Sequence, residues 1–191
     1  MTKTIFSTIA LMALLIFSYL FTKKQTEFNP FTLSLNTSKG VVNLNELKKD
    51  KLTLMYFGFL TCPDVCPTTL STVGAAFKDM TPAELAKINF LFIDLDPERD
   101  SLDRLKEYAG YFHPMITSVS MPLKDLDPFT RYFGIVFMKV PLKNSKMGYT
   151  IDHSTGILVL SPEGKILPHI EHGTNKTVML AILRKLLAEI K

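Results

Sequence analysis

Apolar and polar positions along this chain switch between two periods, and the switches mark the elements. Ile5 to Phe21 is an uncharged, largely apolar run, bounded by Lys3 on one side and by Lys23 and Lys24 on the other. Beyond it the pattern breaks into short pieces. Phe31 to Leu35 alternates in strand fashion, and Asn36 to Gly40 supplies turn residues before a second short strand, Val41 to Leu44. Leu52 to Phe59 reads as a fully buried strand. A helix is predicted from Pro67 to about Asp79, with Leu70, Val73, Gly74 and Phe77 on one face and Pro67 suited to the first helical position. Thr81, Pro82 and Glu84 form a capping-box pattern with proline just inside the helix. Ile88 to Ile93 is a second central strand. Ser101 to Phe112 is helical, with Leu102, Leu105, Tyr108 and Ala109 in step, and stops before Pro114. A shorter helix over 123–133, kinked near Pro128, precedes a strand from Ile135 to Val140. Gly156 to Leu160 and Lys165 to Ile170 make a hairpin around the turn Ser161 to Gly164. The closing helix carries Val178, Met179, Ile182, Leu183, Leu186, Leu187 and Ile190 as an apolar stripe, capped by Thr174 or Asn175. Strands alternating with helices, then a hairpin and a last helix, predict one α/β domain.

The initial apolar run changes the setting. Its seventeen uncharged residues are near the lower limit for crossing a bilayer. Tyr19 and Phe21 are residue types that favour the membrane interface, and no small-x-small cleavage pattern follows. The expectation is an uncleaved membrane anchor over residues 1–24, a linker over 25–30 and one domain over 31–191; a cleaved signal peptide is the alternative. Charge adds little. Residues 1–24 hold three of the 22 basic side chains and no acid, which leaves 19 against 18 for the rest. With no basic stripe, no nucleic acid partner is expected.

Chemistry concentrates at Cys62 and Cys66, the two cysteines of the chain. They follow the first buried strand and open a predicted helix, whose positive end lowers the pKa of a thiol. Paired soft ligands and a redox-active dithiol both fit. A structural disulfide closing so short a loop would constrain little unfolded-chain entropy. In a thioredoxin-like sheet, the loop entering the first hairpin strand returns beside the first strand–helix junction, usually with a proline. Here that loop, Tyr149 to Ser154, has no proline and carries His153. Asp96 and Asp100, at the end of the second central strand, are candidates for supporting the site; Asp100 and Ser101 also suit a helix cap, with Arg99 pairing to one of the acids. His169 and His172 suggest a second metal site but read better as a solvated edge, His113 reads as a helix-end residue, and most of the nine scattered methionines as core filler.

Three segments in order, Tyr56 to Pro67 with its CxxxC, Asp96 to Asp100, and Tyr149 to His153, resemble the Sco/SenC family of copper proteins, over about residues 28–191. The resemblance implies a thioredoxin-like domain, a mixed sheet flanked by helices, on an N-terminal transmembrane helix and facing the periplasm or mitochondrial intermembrane space. It implies one copper per chain, as Cu(I) or Cu(II), on Cys62, Cys66 and His153. It also implies service to the copper-bearing subunit of cytochrome c oxidase, whose CuA centre the family matures, with an upstream copper chaperone and a thioredoxin-like reductant as further partners. Two departures stand out: Thr61 where family members commonly have histidine, and Asn29 with Pro30 in place of Gly-Gly or Gly-Asp.

The donor set agrees with copper on its own terms. Two thiolates and an imidazole suit Cu(I) and can hold Cu(II), whereas structural zinc takes four protein ligands; Asp64 or a water would have to complete that set. The alternative function is a thiol–disulfide oxidoreductase that reduces the cysteines of the oxidase copper site. Peroxidase chemistry, with Thr68, Thr69 or Arg99 as activators, is a third. Redox enzymes of this fold favour CxxC, so the extra residue and His153 favour a metal.

Overall fold

Two strands that are apolar along almost their whole length need cover on both faces, and this requirement organises the domain. The computed structural model describes Met12, residues 28–143 and residues 145–190. β3 (Leu52–Gly58) and β4 (Ile88–Asp94) pair in parallel from Leu52 opposite Ile88 to Gly58 opposite Asp94. β5 (Ile116–Ser120) extends the parallel set, and β1 (Ser34–Thr37) and β2 (Gly40–Asn43) close that edge antiparallel. On the other side β8 (Ile157–Leu160) and β9 (Ile166–Ile170) run antiparallel, giving the order β2-β1-β5-β4-β3-β8-β9. β6 (Phe137–Pro141) and β7 (Tyr149–His153) form a separate two-stranded sheet.

Alternation along β3 sends Leu52, Leu54 and Tyr56 to one face and Met55 and Phe57 to the other. The first face is covered by α2 (Val65–Lys78), α4 (Leu102–Phe112) and α6 (Lys176–Glu189), through Leu70, Val73 and Phe77, Leu105 and Ala109, and Met179, Leu183 and Leu187. The second is covered by α1 (Leu44–Leu47) and α5 (Leu123–Tyr132), through Leu44, Leu126 and Phe129. α3 (Pro82–Leu85) has the full capping box, Thr81 and Glu84 each satisfying the other's backbone N–H. The architecture is the expected mixed sheet between helices, thioredoxin-like. Gly74 sets one helix spacing: a Cβ there would lie 2.5 Å from the Phe112 carbonyl oxygen, so only glycine lets α2 close on α4 this tightly.

Several expectations change. Asn29 accepts the Phe31 N–H through its side chain, which winds Pro30–Thr32 into a 3-10 turn where a strand was predicted; the strand starts at Ser34. α2 begins two residues before Pro67. The predicted loop at 149–154 is strand through His153, because β6 pairs with it, Phe137 opposite His153. α1 and β5 lacked a sequence signal. β5 is masked by Ser118, fully buried because its hydroxyl donates to the Leu105 carbonyl at 2.8 Å. Among the described residues no helix is long and apolar enough to cross a membrane. The apolar run Ile5 to Phe21 lies, Met12 apart, outside the described residues.

β3 and β4 are parallel, so their C-terminal ends open onto one pole of the sheet. The loops leaving that pole carry Cys62 with Cys66 and Asp96 with Asp100.

Candidate metal centre

After β3 the chain turns back, with the Cys62 N–H donating to the Phe59 carbonyl at 3.3 Å, and then winds into α2. The residue before the helix, Asp64, makes no side-chain cap. Cys62 does that work instead: its sulfur accepts the Cys66 N–H at 3.4 Å. Cys62 is half-buried and Cys66 fully buried. Gly58 leaves the space that Cys66 fills. A Cβ there would meet the Cys66 Sγ at 2.7 Å and the Phe92 ring at 2.8 Å.

His153 ends β7 and brings its Nε2 to 3.7 Å from the Cys66 sulfur. Its Nδ1 lies 2.7 Å from the Ser154 carbonyl oxygen. A carbonyl only accepts, so Nδ1 carries the proton and Nε2 keeps a lone pair on the sulfur side. Phe59 packs edge-on to the ring at 5.9 Å. The two sulfurs and a ring nitrogen all lie within 4.8 Å of one another, the one such cluster of metal-ligating side chains among the described residues. A cavity of about 300 Å³, lined by Cys62, Asp64, Asp152 and His153 among others, opens beside them.

Electrostatics split the two thiols. Hydrogen bonding from the Cys66 side chain holds the Cys62 thiol down at about 4, with help from the backbone N–H groups of Cys66 and Asp64, against the opposing effect of burial. Sharing that bond, together with burial and the neighbouring charge, pushes Cys66 far up. The sequence expectation of a lowered pKa for both thiols therefore holds for Cys62 alone, because the two sulfurs share one hydrogen bond, in which Cys62 accepts and the more deeply buried Cys66 donates. An empty dithiol carries one negative charge; a bound cation would stabilise the second.

The acidic residues support the loops. Asp100 is buried and accepts the Leu60 N–H at 2.8 Å, tying down the turn before Cys62; burial pushes its carboxyl up. Ser101, not Asp100, caps α4. Asp96 pairs with Arg99 and accepts the Tyr149 hydroxyl at 2.8 Å, reaching the hairpin that carries His153. Asp94 was not singled out from sequence. It is fully buried, accepts the Asp96 N–H and the Ser120 hydroxyl, and is pushed up to about 7 by burial. Its place at the end of an apolar strand was the available signal.

The SCO1/SenC family model matches residues 22–188. The chain belongs to the SCO1/SenC family. It is 32% identical over 134 residues, 70% of this chain, to the mitochondrial SCO1 homolog 1 of Arabidopsis thaliana, and 31% identical over 145 residues, 76% of this chain, to an SCO2-like protein of Rickettsia conorii. The matched stretches span 39% and 70% of those two proteins. The solved structure of Bradyrhizobium japonicum ScoI with copper bound is similar with a TM-score of 0.73 at 29% identity, covering 83% of this chain and 98% of that one.

Within this SCO1/SenC domain the remaining candidates lie outside the ligand cluster. Thr61, the residue before Cys62, has a buried hydroxyl without a hydrogen-bond partner. Thr68 donates to carbonyls of its own helix turn, and Thr69 pairs with the exposed His172 at 3.1 Å. His169 is exposed. His113 packs against Phe77 and accepts the Met115 N–H at 3.2 Å, with its pKa pushed down by burial. The activators that peroxidase chemistry would use are thus engaged elsewhere.

Proposed function

We propose that this protein is a copper carrier that holds one copper ion through Cys62, Cys66 and His153. It delivers that ion to the copper-bearing subunit of cytochrome c oxidase for assembly of the CuA centre. The observation that carries this reading is the convergence of two sulfurs and an imidazole nitrogen within 4.8 Å, with Nδ1 of the imidazole turned to a carbonyl. A low-coordinate, sulfur-rich set selects Cu(I) over hard cations, and the nitrogen extends it to Cu(II). The copper-bound Bradyrhizobium relative supports the choice of ion. Asp64 is exposed on the cavity wall and stands outside the ligand cluster. The cavity beside Cys62 gives client thiolates a line of approach for ligand exchange. Ile5 to Phe21 would anchor the domain to a membrane and place it on the extracytoplasmic side, where an upstream copper chaperone and a thioredoxin-like reductant would serve it.

The split between the thiols favours a second reading, thiol–disulfide exchange. The Cys62 thiolate would attack a client disulfide, and Cys66, giving up its proton, would displace the client from Cys62. One client disulfide becomes two thiols as Cys62 and Cys66 become a disulfide. Anaerobic titration of the reduced full chain in detergent with Cu(I), against a competing chelator, separates the two. The carrier reading predicts one retained copper per chain, and near-complete loss in either Cys62→Ser or Cys66→Ser. A wild-type site that stays empty in excess Cu(I), while the dithiol reduces client disulfides rapidly, would establish the oxidoreductase instead.

A further inference from the structure

The β6–β7 hairpin delivers His153, yet among the described residues it shares no backbone ladder with the seven-stranded sheet. Its place is therefore fixed by side-chain contacts together with the short link from His153 into β8. Residues 149, 151 and 153 share one face of β7, since side chains alternate along a strand. Ile151 is buried in the second core cluster, with Phe137 of β6 packed against that cluster. At the other end of the strand is a polar knot. Asp96, only 1% exposed, pairs with the Arg99 guanidinium and accepts the Tyr149 hydroxyl at 2.8 Å. Arg99 then donates to the carbonyls of Met147 at 3.1 Å and Tyr149 at 3.0 Å, and its guanidinium lies 3.6 Å from the centre of the Tyr149 ring. Lys139, on β6, lies 4.5 Å from the same ring and pairs with Glu98.

We propose that Arg99 and Tyr149, organised by Asp96, are positioning residues that seat His153 against the two cysteines. The clamp acts through the strand, not on the metal. It holds the Tyr149 end of β7 to the loop after β4, and the rigid strand carries that placement to His153 about 13 Å away. A slip of one residue would turn His153 to the opposite face, so the clamp also protects the register. Arginine suits this role because one planar fork can serve a carboxylate and backbone carbonyls while stacking on a ring; a lysine ammonium cannot do all three. The inference rests on the copper-carrier reading for its metal readout, and on geometry alone for the hairpin.

The test uses full-length protein in detergent. Removing Arg99 altogether would strand a buried carboxylate and threaten folding, so Arg99→Lys and Tyr149→Phe are the informative variants. Hydrogen exchange of the metal-free protein, read by mass spectrometry, should be at least about tenfold faster in β7 and unchanged in β3 and β4. Cu(II) affinity should fall by about 10- to 100-fold, the range for outer-shell partners of a ligand, with the sulfur-to-copper absorption moving toward that of His153→Ala. Combining Arg99→Lys with His153→Ala should cost little beyond His153→Ala alone, since both remove the same ligand. Wild-type exchange in β7, or copper losses that simply add in the double variant, would overturn the clamp. If the wild type bound no copper the carrier reading would fail, and the exchange in β7 would still decide for or against the clamp.

Discussion

At the scale of single residues, the site depends on an absence as much as on its ligands. Gly58 leaves room for the Cys66 sulfur, and Gly58→Ala would put a methyl group 2.7 Å from it. Overpacking of this kind costs about 1–3 kcal/mol. It should also move Cys66 away from His153, so a chelator competition should show copper affinity reduced by at least about tenfold, the equivalent of about 1.4 kcal/mol, in a protein with native circular dichroism. The thiol pair makes a second prediction. With Cys62 held at about 4, its alkylation rate in the reduced protein should stay flat from pH 8 down to pH 5 and fall only below that. An ordinary thiol would lose its reactivity steadily below its pKa of about 8.5. Asp94 makes a third, with the opposite sign from a salt-bridged acid. Its folded pKa is raised from 3.8 to about 7, so between those values the folded state binds more protons than the unfolded state. Its contribution to stability therefore falls as pH rises through that window. Asp94→Asn, which keeps an acceptor for the Asp96 N–H, should flatten the decline; urea denaturation at pH 5 and pH 8 measures it.

At the scale of elements, the close approach of α2 and α4 places α2, and with it Cys66. Gly74→Ala drives a Cβ against the Phe112 backbone, where no side chain can rotate away. A loss of about 1–3 kcal/mol, several degrees in Tm for a domain of this size, is expected from thermal denaturation. The legibility of the sequence also divides by element. The buried strands β3 and β4, the cap of α3 and the stripe of α6 were readable because each is a local pattern: continuous apolar residues, a Thr–Glu box, a 3.6-residue period. β5 was not, since its buried Ser118 looks polar and is paid for by a hydrogen bond to Leu105, an element away. β7 looked like a loop because Tyr149 to His153 gains its strand character from β6. The cysteines were evident from their spacing. His153 was reachable by topology and family resemblance, but the Arg99–Tyr149 clamp was not, because it depends on how a hairpin outside the main sheet is held.

At the scale of the whole molecule, Phe31, near the first residues of the described domain, and the site occupy opposite ends of the sheet. Phe31 packs by Gly164 and Lys48, at the end where β3 begins, whereas Cys62 follows the end of β3. Seven residues of β3, at about 3.3 Å each, separate the two poles by about 23 Å. An anchor preceding Phe28 would leave the ligands facing away from the bilayer and open to a client. Alkaline phosphatase fused after residue 30 should then be active, and the full chain should stay with membranes through high-salt washing, because screening charge does not release an apolar span. An inactive fusion, or release by salt, would contradict the anchored, extracytoplasmic placement. The central claim is the ligand set, and X-ray absorption at the copper edge of the full-length, copper-loaded protein addresses it most directly. Two sulfur neighbours and at least one nitrogen neighbour per copper are expected, with the nitrogen signal lost in His153→Ala. A first shell of oxygen and nitrogen alone, or a nitrogen signal that survives His153→Ala unchanged, would contradict it.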